Sequence, residues 1–152
     1  GKDFISDMLA NYYGYFVYDA DEDMPATYKE YVRAGHIPTD KMREEFVIHI
    51  IKHTSELIKT YKRIVINWVF IKNKHRRMFQ QAFADAEFIL VSTPRHMIAH
   101  RLKNYPRTDH FATYEVALRL GDLFEKPMIP HEVIMNTVKP DKLIEQFDTL
   151  GL

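Results

Sequence analysis

The sequence predicts an α/β layered fold with a mainly parallel sheet. Three observations lead there. Helical and β-rich segments alternate almost throughout. Residues 63–70 (RIVINWVF) and 88–91 (FILV) are nearly continuous apolar runs, the mark of strands covered on both faces. Charged clusters then follow the strand ends: DADED after Tyr18 and a basic stretch after Phe70. In parallel sheets the loops at the carboxyl ends of strands gather the ligand site.

Taken in order, Ile5, Met8, Leu9 and Tyr12 recur at helical spacing, so residues 2–13 form a helix that Gly14 suits as C-terminal cap. Residues 15–18 make a short strand ending in acids. Pro25 and Thr27 introduce a brief helix that stops at Gly35. Thr39 is a good N-cap for a long helix with Met42, Phe46, Ile50, His53 or Thr54, Leu57 and Tyr61 on one face. The strand over 63–70 leads into a basic helix, KNKHRRMFQQAF, and the strand over 88–91 into a helix from Pro94 to about Leu102. Residues 103–111 read as loop, 112–124 as helix and 132–137 as the last strand. Pro140 at the first helical position opens the terminal helix.

The bulk properties narrow the function. A chain of 152 residues is one domain, 1–152, with room for a real core. Lys and Arg balance Asp and Glu at 21 each, so no nucleic acid and no anionic membrane is expected as a partner. The absence of Cys excludes disulfides, thiolate metal sites and Cys nucleophiles, and fits a reducing, cytoplasmic setting. The longest apolar run, 64–71, is too short to cross a bilayer.

Several short patterns carry chemistry. Gly1-Lys2 before a helix supplies the end of a phosphate-binding loop, although the dipeptide alone is too common to carry weight. Asp19 and Asp21, two apart beyond a strand, could hold Mg²⁺ through water and take a proton from a hydroxyl; a solvated acidic turn is the plainer reading. The pairs His49/His53 and His96/His100 have the four-residue helical spacing that lets two rings meet one metal. Neither has an evident third ligand, so both read as packing or surface histidines. Lys72, Lys74, His75, Arg76 and Arg77 could be an exposed helix face or a nucleic-acid patch, and in a charge-balanced chain a local role is the plainer reading. The aromatics at Tyr12, Tyr13, Tyr15, Phe16 and Tyr18 read as core and core edge.

The order of these signals is more specific than any one of them. GKD, Leu9-Ala10, Gly14, Asp19-Ala20-Asp21-Glu22, Pro25, Gly35, Asp40, Arg43 and Phe46 follow one another without a gap in the pattern of a small P-loop kinase of the gluconokinase type. That family is related to shikimate kinases and nucleoside monophosphate kinases. VFIKNKHR, FILVSTPRHMIAHRL and His110-Phe111 followed by Phe124-Glu125-x-Pro127 also resemble family segments, so the likeness runs from Gly1 to about Pro127. It implies a three-layer P-loop kinase fold with helices on both faces of the sheet and a mobile lid over about 103–124. The family's first strand and the start of its phosphate loop are expected upstream of Gly1; without that strand both of its neighbours would present unpaired edges.

The resemblance also implies ligands and roles. ATP and Mg²⁺ are the expected cofactors, and a small anionic metabolite such as a sugar acid is the expected acceptor. Gly1, Lys2 and Asp3 would hold the nucleotide, with Lys2 on the outer phosphates and Asp3 and Asp19 near Mg²⁺. Asp21 would orient or deprotonate the acceptor hydroxyl. Arg107 is the expected lid cation, with Arg119 second, and Arg101 would lie beside the adenine. Arg43, helped by Lys72 and Arg76, would bind the acceptor's anionic group. A homodimer is expected only from family habit.

The sequence departs from the family at several of these places. Asp3 stands where Ser or Thr is usual, Met24 where His is usual, and Tyr28, Tyr31 and Leu120 also differ, mostly on the acceptor side. A second resemblance competes. KEYVRAGHIPTDKMREEFVIHII is similar to an adenylate-kinase segment, and Arg107-Thr108-Asp109 to a nucleotide-kinase lid motif. A nucleoside or nucleotide kinase, or a P-loop protein that binds nucleotide without turnover, are therefore the alternatives.

Overall fold

A computed structural model describes residues 1–104 and 112–152. Among these residues the elements run α1 (Lys2–Tyr13), β1 (Phe16–Asp19), α2 (Ala26–Arg33), α3 (Asp40–Leu57), β2 (Ile64–Asn67) and α4 (Asn73–Ala82). There follow β3 (Ile89–Ser92), α5 (Arg95–Asn104), α6 (Tyr114–Asp122), β4 (Glu132–Met135) and α7 (Pro140–Leu150). The protein is thus α/β, with helices set around short parallel strands.

Local chemistry sets the boundaries. Gly14 ends α1 in the left-handed region, at φ 70°, where a side chain would be strained, and its N–H bonds the Ala10 carbonyl at 3.1 Å. The Thr39 hydroxyl accepts from Met42 N at 3.2 Å and so starts α3. Helix α3 ends at Leu57, a turn short of the expected Tyr61. The expected strand over 63–70 contracts to Ile64–Asn67, because its partner β1 ends at Asp19, opposite Asn67; beyond it Trp68 and Phe70 pack with Phe46, Phe79 and Phe88.

Strand β1 pairs with β2, in register Phe16 to Ile64 and Asp19 to Asn67, and β3 pairs with β4, from Ile89–Glu132 to Ser92–Met135. Both pairs are parallel. The period-2 alternation sends side chains to opposite faces. Phe16, Tyr18, Ile64 and Ile66 join one apolar cluster with Tyr28, Val32, Phe46, Ile50, Phe79 and Val116. Tyr15, Val65, Ile89 and Val91 join another with Ile5, Met8, Leu9, Ile134, Leu143 and Phe147. Helices α1 and α7 therefore cover one face, and α2, α3, α4 and α6 the other, which makes three layers.

Among the described residues β2 and β3 do not pair with each other. A cleft of about 550 Å³ lies along them, lined by Lys2, Leu9, Val65, Asn67, Phe88 and Ile89 among others. No described helix is long and apolar enough to cross a membrane.

Candidate active site

The site grows from the carboxyl ends of β1 and β2. Gly1 is the N-cap of α1, so the positive end of that helix dipole lies beside the two strand ends. A Cβ built on Gly1 would come within 2.8 Å of Asn136 Nδ2, so the backbone passes close to the buried Asn136 side chain. Lys2, one residue on, extends its ammonium to Asp3 Oδ1 at 2.9 Å and to Asp21 Oδ2 at 3.3 Å.

The acids form a connected set. Asp21 follows β1 by two residues, and its backbone N–H donates to Asp19 Oδ1 at 3.1 Å, folding the turn back on the strand end. Asn67, the last residue of β2, donates from Nδ2 to Asp3 Oδ1 at 2.9 Å. The four side chains of Lys2, Asp3, Asp19 and Asp21 carry three negative charges and one positive. Burial is the strongest single influence on Lys2 and lowers its pKa, but Asp21, Asp3 and Asp19 together outweigh it and raise the value. Lys2 is accordingly a fixed cation. For Asp19, burial dominates and raises the carboxyl pKa, with the Lys2 charge opposing.

The donors present fit Mg²⁺. They are all oxygens, as a hard cation requires, and the Asn67 Oδ1 atom is buried there with no hydrogen-bond partner. Among the described residues Asp3, Asp19 and Asp21 do not converge into a closed ligand cage. That suits an ion that keeps several waters and shares phosphate oxygens.

Residues expected to meet an acceptor lie on α2 and α3. A pocket of about 280 Å³ is lined by Tyr28, Tyr31, Met42, Phe46 and His49, among others. Arg43, one helical turn before Phe46, is 3% exposed; its Nη1 meets Asp40 at 3.4 Å, while its Nη2 is buried with no hydrogen-bond partner. Burial pushes the Tyr28 phenol up to about 12, with the Arg43 charge pulling it down and Asp21 pushing it up. Tyr28 therefore sits within electrostatic reach of both residues.

The remaining expected residues are more dispersed. Lys72 pairs with Glu125 at 3.1 Å. Arg76 is buried, bonding Asn73 Oδ1 at 2.8 Å and the Ile71 carbonyl at 3.3 Å, and lying 4.8 Å from the Phe124 ring centroid. It still lines a hollow of about 150 Å³ that it shares with Lys2. Arg101 donates to the Asn136 carbonyl at 3.2 Å, which sets it near Gly1 through Asn136. Arg119 is exposed on α6. Arg107 lies outside the described residues, as does most of the loop expected over 103–111.

The basic helix does not present an exposed face throughout. His75 and Arg76 are 1% and 3% exposed, and both His75 ring nitrogens lack partners. Burial lowers the His75 pKa and keeps the ring neutral, beside Asp40 and Arg43. Asn67 is thus a site-lining group that sequence reasoning missed, and His75, expected on an exposed basic face, is buried instead. The spacing of His75, Arg76 and Phe79 along one helical face was the available signal.

No protein-family model matches the chain, and no curated protein is significantly similar to it in sequence. Solved structures do share its fold. A sugar kinase from Janibacter sp. HTCC2649, in an unliganded structure, superposes with a TM-score of 0.82 at 18% identity, over 98% of this chain and 86% of that one. A gluconokinase from Sinorhizobium meliloti 1021 superposes with a TM-score of 0.76 at 16% identity, over 99% of this chain and 89% of that one. At these identities the likeness is one of fold.

Proposed function

We propose that this protein is an ATP- and Mg²⁺-dependent small-molecule kinase that phosphorylates a hydroxyl of an anionic metabolite of the sugar-acid class. The observation that carries the reading is the contact of Lys2 with Asp21 at 3.3 Å, at the N-terminal end of α1 and the carboxyl end of β1. It sets a phosphate-binding cation against a candidate base. The fold shared with a sugar kinase and a gluconokinase supports the same class.

Lys2 and the first turn of α1 would hold the outer phosphates, where helix dipole and ammonium both favour negative charge. Bound Mg²⁺ neutralises phosphate charge, and Asp3 and Asp19 are the residues that would hold it. Arg101 would flank the base of the nucleotide, and Arg107 or Arg119 would supply lid charge. Arg43 would anchor the acceptor carboxylate through its unpartnered Nη2, because a guanidinium meets a carboxylate in a fork. Lys72 and Arg76 would extend the positive wall. Asp21 would accept the hydroxyl proton as the acceptor oxygen bonds the γ-phosphorus and the bond to the β-phosphate oxygen breaks, releasing ADP.

A coupled ADP-release assay over sugar acids, shikimate and nucleoside monophosphates tests the reading. Turnover with sugar acids supports it. Turnover confined to nucleoside monophosphates favours the nucleotide-kinase alternative, and ATP binding without any turnover favours the binding-only one.

A further inference from the structure

Asp23 closes the acidic turn but belongs to a different cluster from Lys2 and Asp21. Its Oδ2 accepts from the Tyr18 hydroxyl at 2.8 Å and lies 2.5 Å from His53 Nδ1 and 3.4 Å from His49 Nε2. The nearest donor atoms of the three residues all fall within 4.8 Å of one another. The four-residue spacing on α3 turns both rings to one side of the helix, and the turn after β1 brings the carboxylate to them.

We propose that Asp23, His49 and His53 form a binding site for a borderline transition-metal cation of the Zn²⁺ class, tying the turn after β1 to α3. Two imidazoles and one carboxylate are the donor mix that such ions prefer, and this set differs from the all-oxygen donors beside Lys2. Metal–ligand bonds of about 2.0–2.1 Å in a tetrahedral site separate donor atoms by roughly 3.4 Å. The His49–Asp23 distance of 3.4 Å already matches, and the His53–Asp23 pair, at 2.5 Å, needs to open by roughly 1 Å as the bridging proton gives way to the ion.

The surroundings are those of a supported site. The Tyr18 hydroxyl orients the carboxylate, as outer partners of metal ligands do. The Tyr18 ring lies 4.5 Å from the His53 ring, and the Phe46 ring stacks with that of His49 at 5.7 Å, so both imidazoles are held in place. The Asp23, His49 and His53 side chains are 33%, 49% and 37% exposed, which leaves an approach from solvent. Three protein ligands leave a fourth position for water or a bound anion. His49 also lines the acceptor pocket, so the ion would sit at its edge.

The inference is independent of the kinase reading, and its test needs no activity. The untagged protein is titrated with Zn²⁺ by calorimetry and with Co²⁺ by visible absorption. We expect one ion per chain, a Co²⁺ spectrum of four-coordinate intensity and a raised Tm. His49→Ala, His53→Ala and Asp23→Asn should each weaken binding at least about tenfold, and Tyr18→Phe by about tenfold through the lost orienting bond. His96→Ala and His100→Ala should leave it unchanged. Circular dichroism of each metal-free variant separates loss of a ligand from loss of fold. The proposal is overturned if the folded wild type binds no ion, or if stoichiometric binding survives His49→Ala and His53→Ala together.

Discussion

Lys2 Nζ lies 3.3 Å from Asp21 Oδ2, joining the first turn of α1 to the turn beyond β1 across 19 positions of sequence. In a phosphoryl-transfer site the cation that meets the outer phosphates and the carboxylate that meets the acceptor hydroxyl must stand side by side, since reaction takes place between their ligands. In the form described here they neutralise each other. Bound phosphates would draw the ammonium away and leave Asp21 as an uncompensated carboxylate, the state a base requires.

Asp21→Asn keeps the shape of the side chain and removes its basicity. The rate of transfer should fall about 10²–10⁴-fold, the usual worth of a positioned general base. ATP affinity should change little, because Lys2 retains its Asp3 partner at 2.9 Å. Steady-state kinetics beside calorimetric ATP titration checks both halves. Loss of ATP binding in step with turnover would contradict the role given to Asp21.

Arg43 exchanges stability for function on this account. A guanidinium 3% exposed, with one nitrogen unpartnered and a single ion pair to an exposed Asp40, is a poor stabiliser. Arg43→Met should therefore be neutral or stabilising by about 1 kcal/mol in the protein without substrate, as apolar replacements of buried ion pairs often are. The same change should raise the acceptor KM by about tenfold or more, while the KM for ATP moves little. Denaturant titration and kinetics read the two effects separately.

Glu125 fastens the start of α4. Its carboxylate accepts from Asn73 N at 2.7 Å and pairs with Lys72 at 3.1 Å. The Asn73 N–H, foremost, with Lys72 and Arg76 adding to it, holds the Glu125 carboxyl below its ordinary pKa of 4.5. A carboxyl with a depressed folded pKa stabilises above its unfolded pKa, and the contribution is lost as pH falls through the folded value. Wild-type stability should thus fall on acidification below about pH 4.5 by more than that of Glu125→Gln. At neutral pH, Glu125→Ala should cost about 1 kcal/mol, the usual worth of a lost helix cap. Urea unfolding across the acid range measures both.

Tyr28 gives the opposite slope. Burial lifts its phenol from 10 to about 12. A raised folded pKa means that the stabilising protonated form is fully present below pH 10 and is lost as pH rises towards about 12. Stability should decline over that alkaline window, and Tyr28→Phe should flatten the decline. Thermal unfolding as a function of pH, with tyrosinate absorbance as the second readout, tests it.

Much of this architecture is legible in local chemistry. Gly14, Thr39 and Pro140 mark helix ends through backbone geometry and capping that act within a few residues, and each stands where expected. The strands are located by their apolar runs but not bounded by them. Trp68 and Phe70 continue the apolar run of Ile64 and Ile66, but the partner strand β1 turns away after Asp19, opposite Asn67, and the two rings pack against Phe46, Phe79 and Phe88 instead. The His49/His53 pair is visible at its helical spacing, whereas its acidic neighbour comes from a turn 26 residues earlier than His49. For the same reason the Lys72–Glu125 pair and the burial of His75 depend on chain segments that no short window brings together.

The proposed γ-phosphoryl transfer at this site is read most directly by ³¹P NMR of the protein with ATP, Mg²⁺ and a panel of sugar acids. A new phosphomonoester resonance should grow as ADP appears, require the sugar acid and be lost in Asp21→Asn. ATP left intact in the presence of every acceptor, or ADP formed at the same rate by wild type and Asp21→Asn, would contradict it.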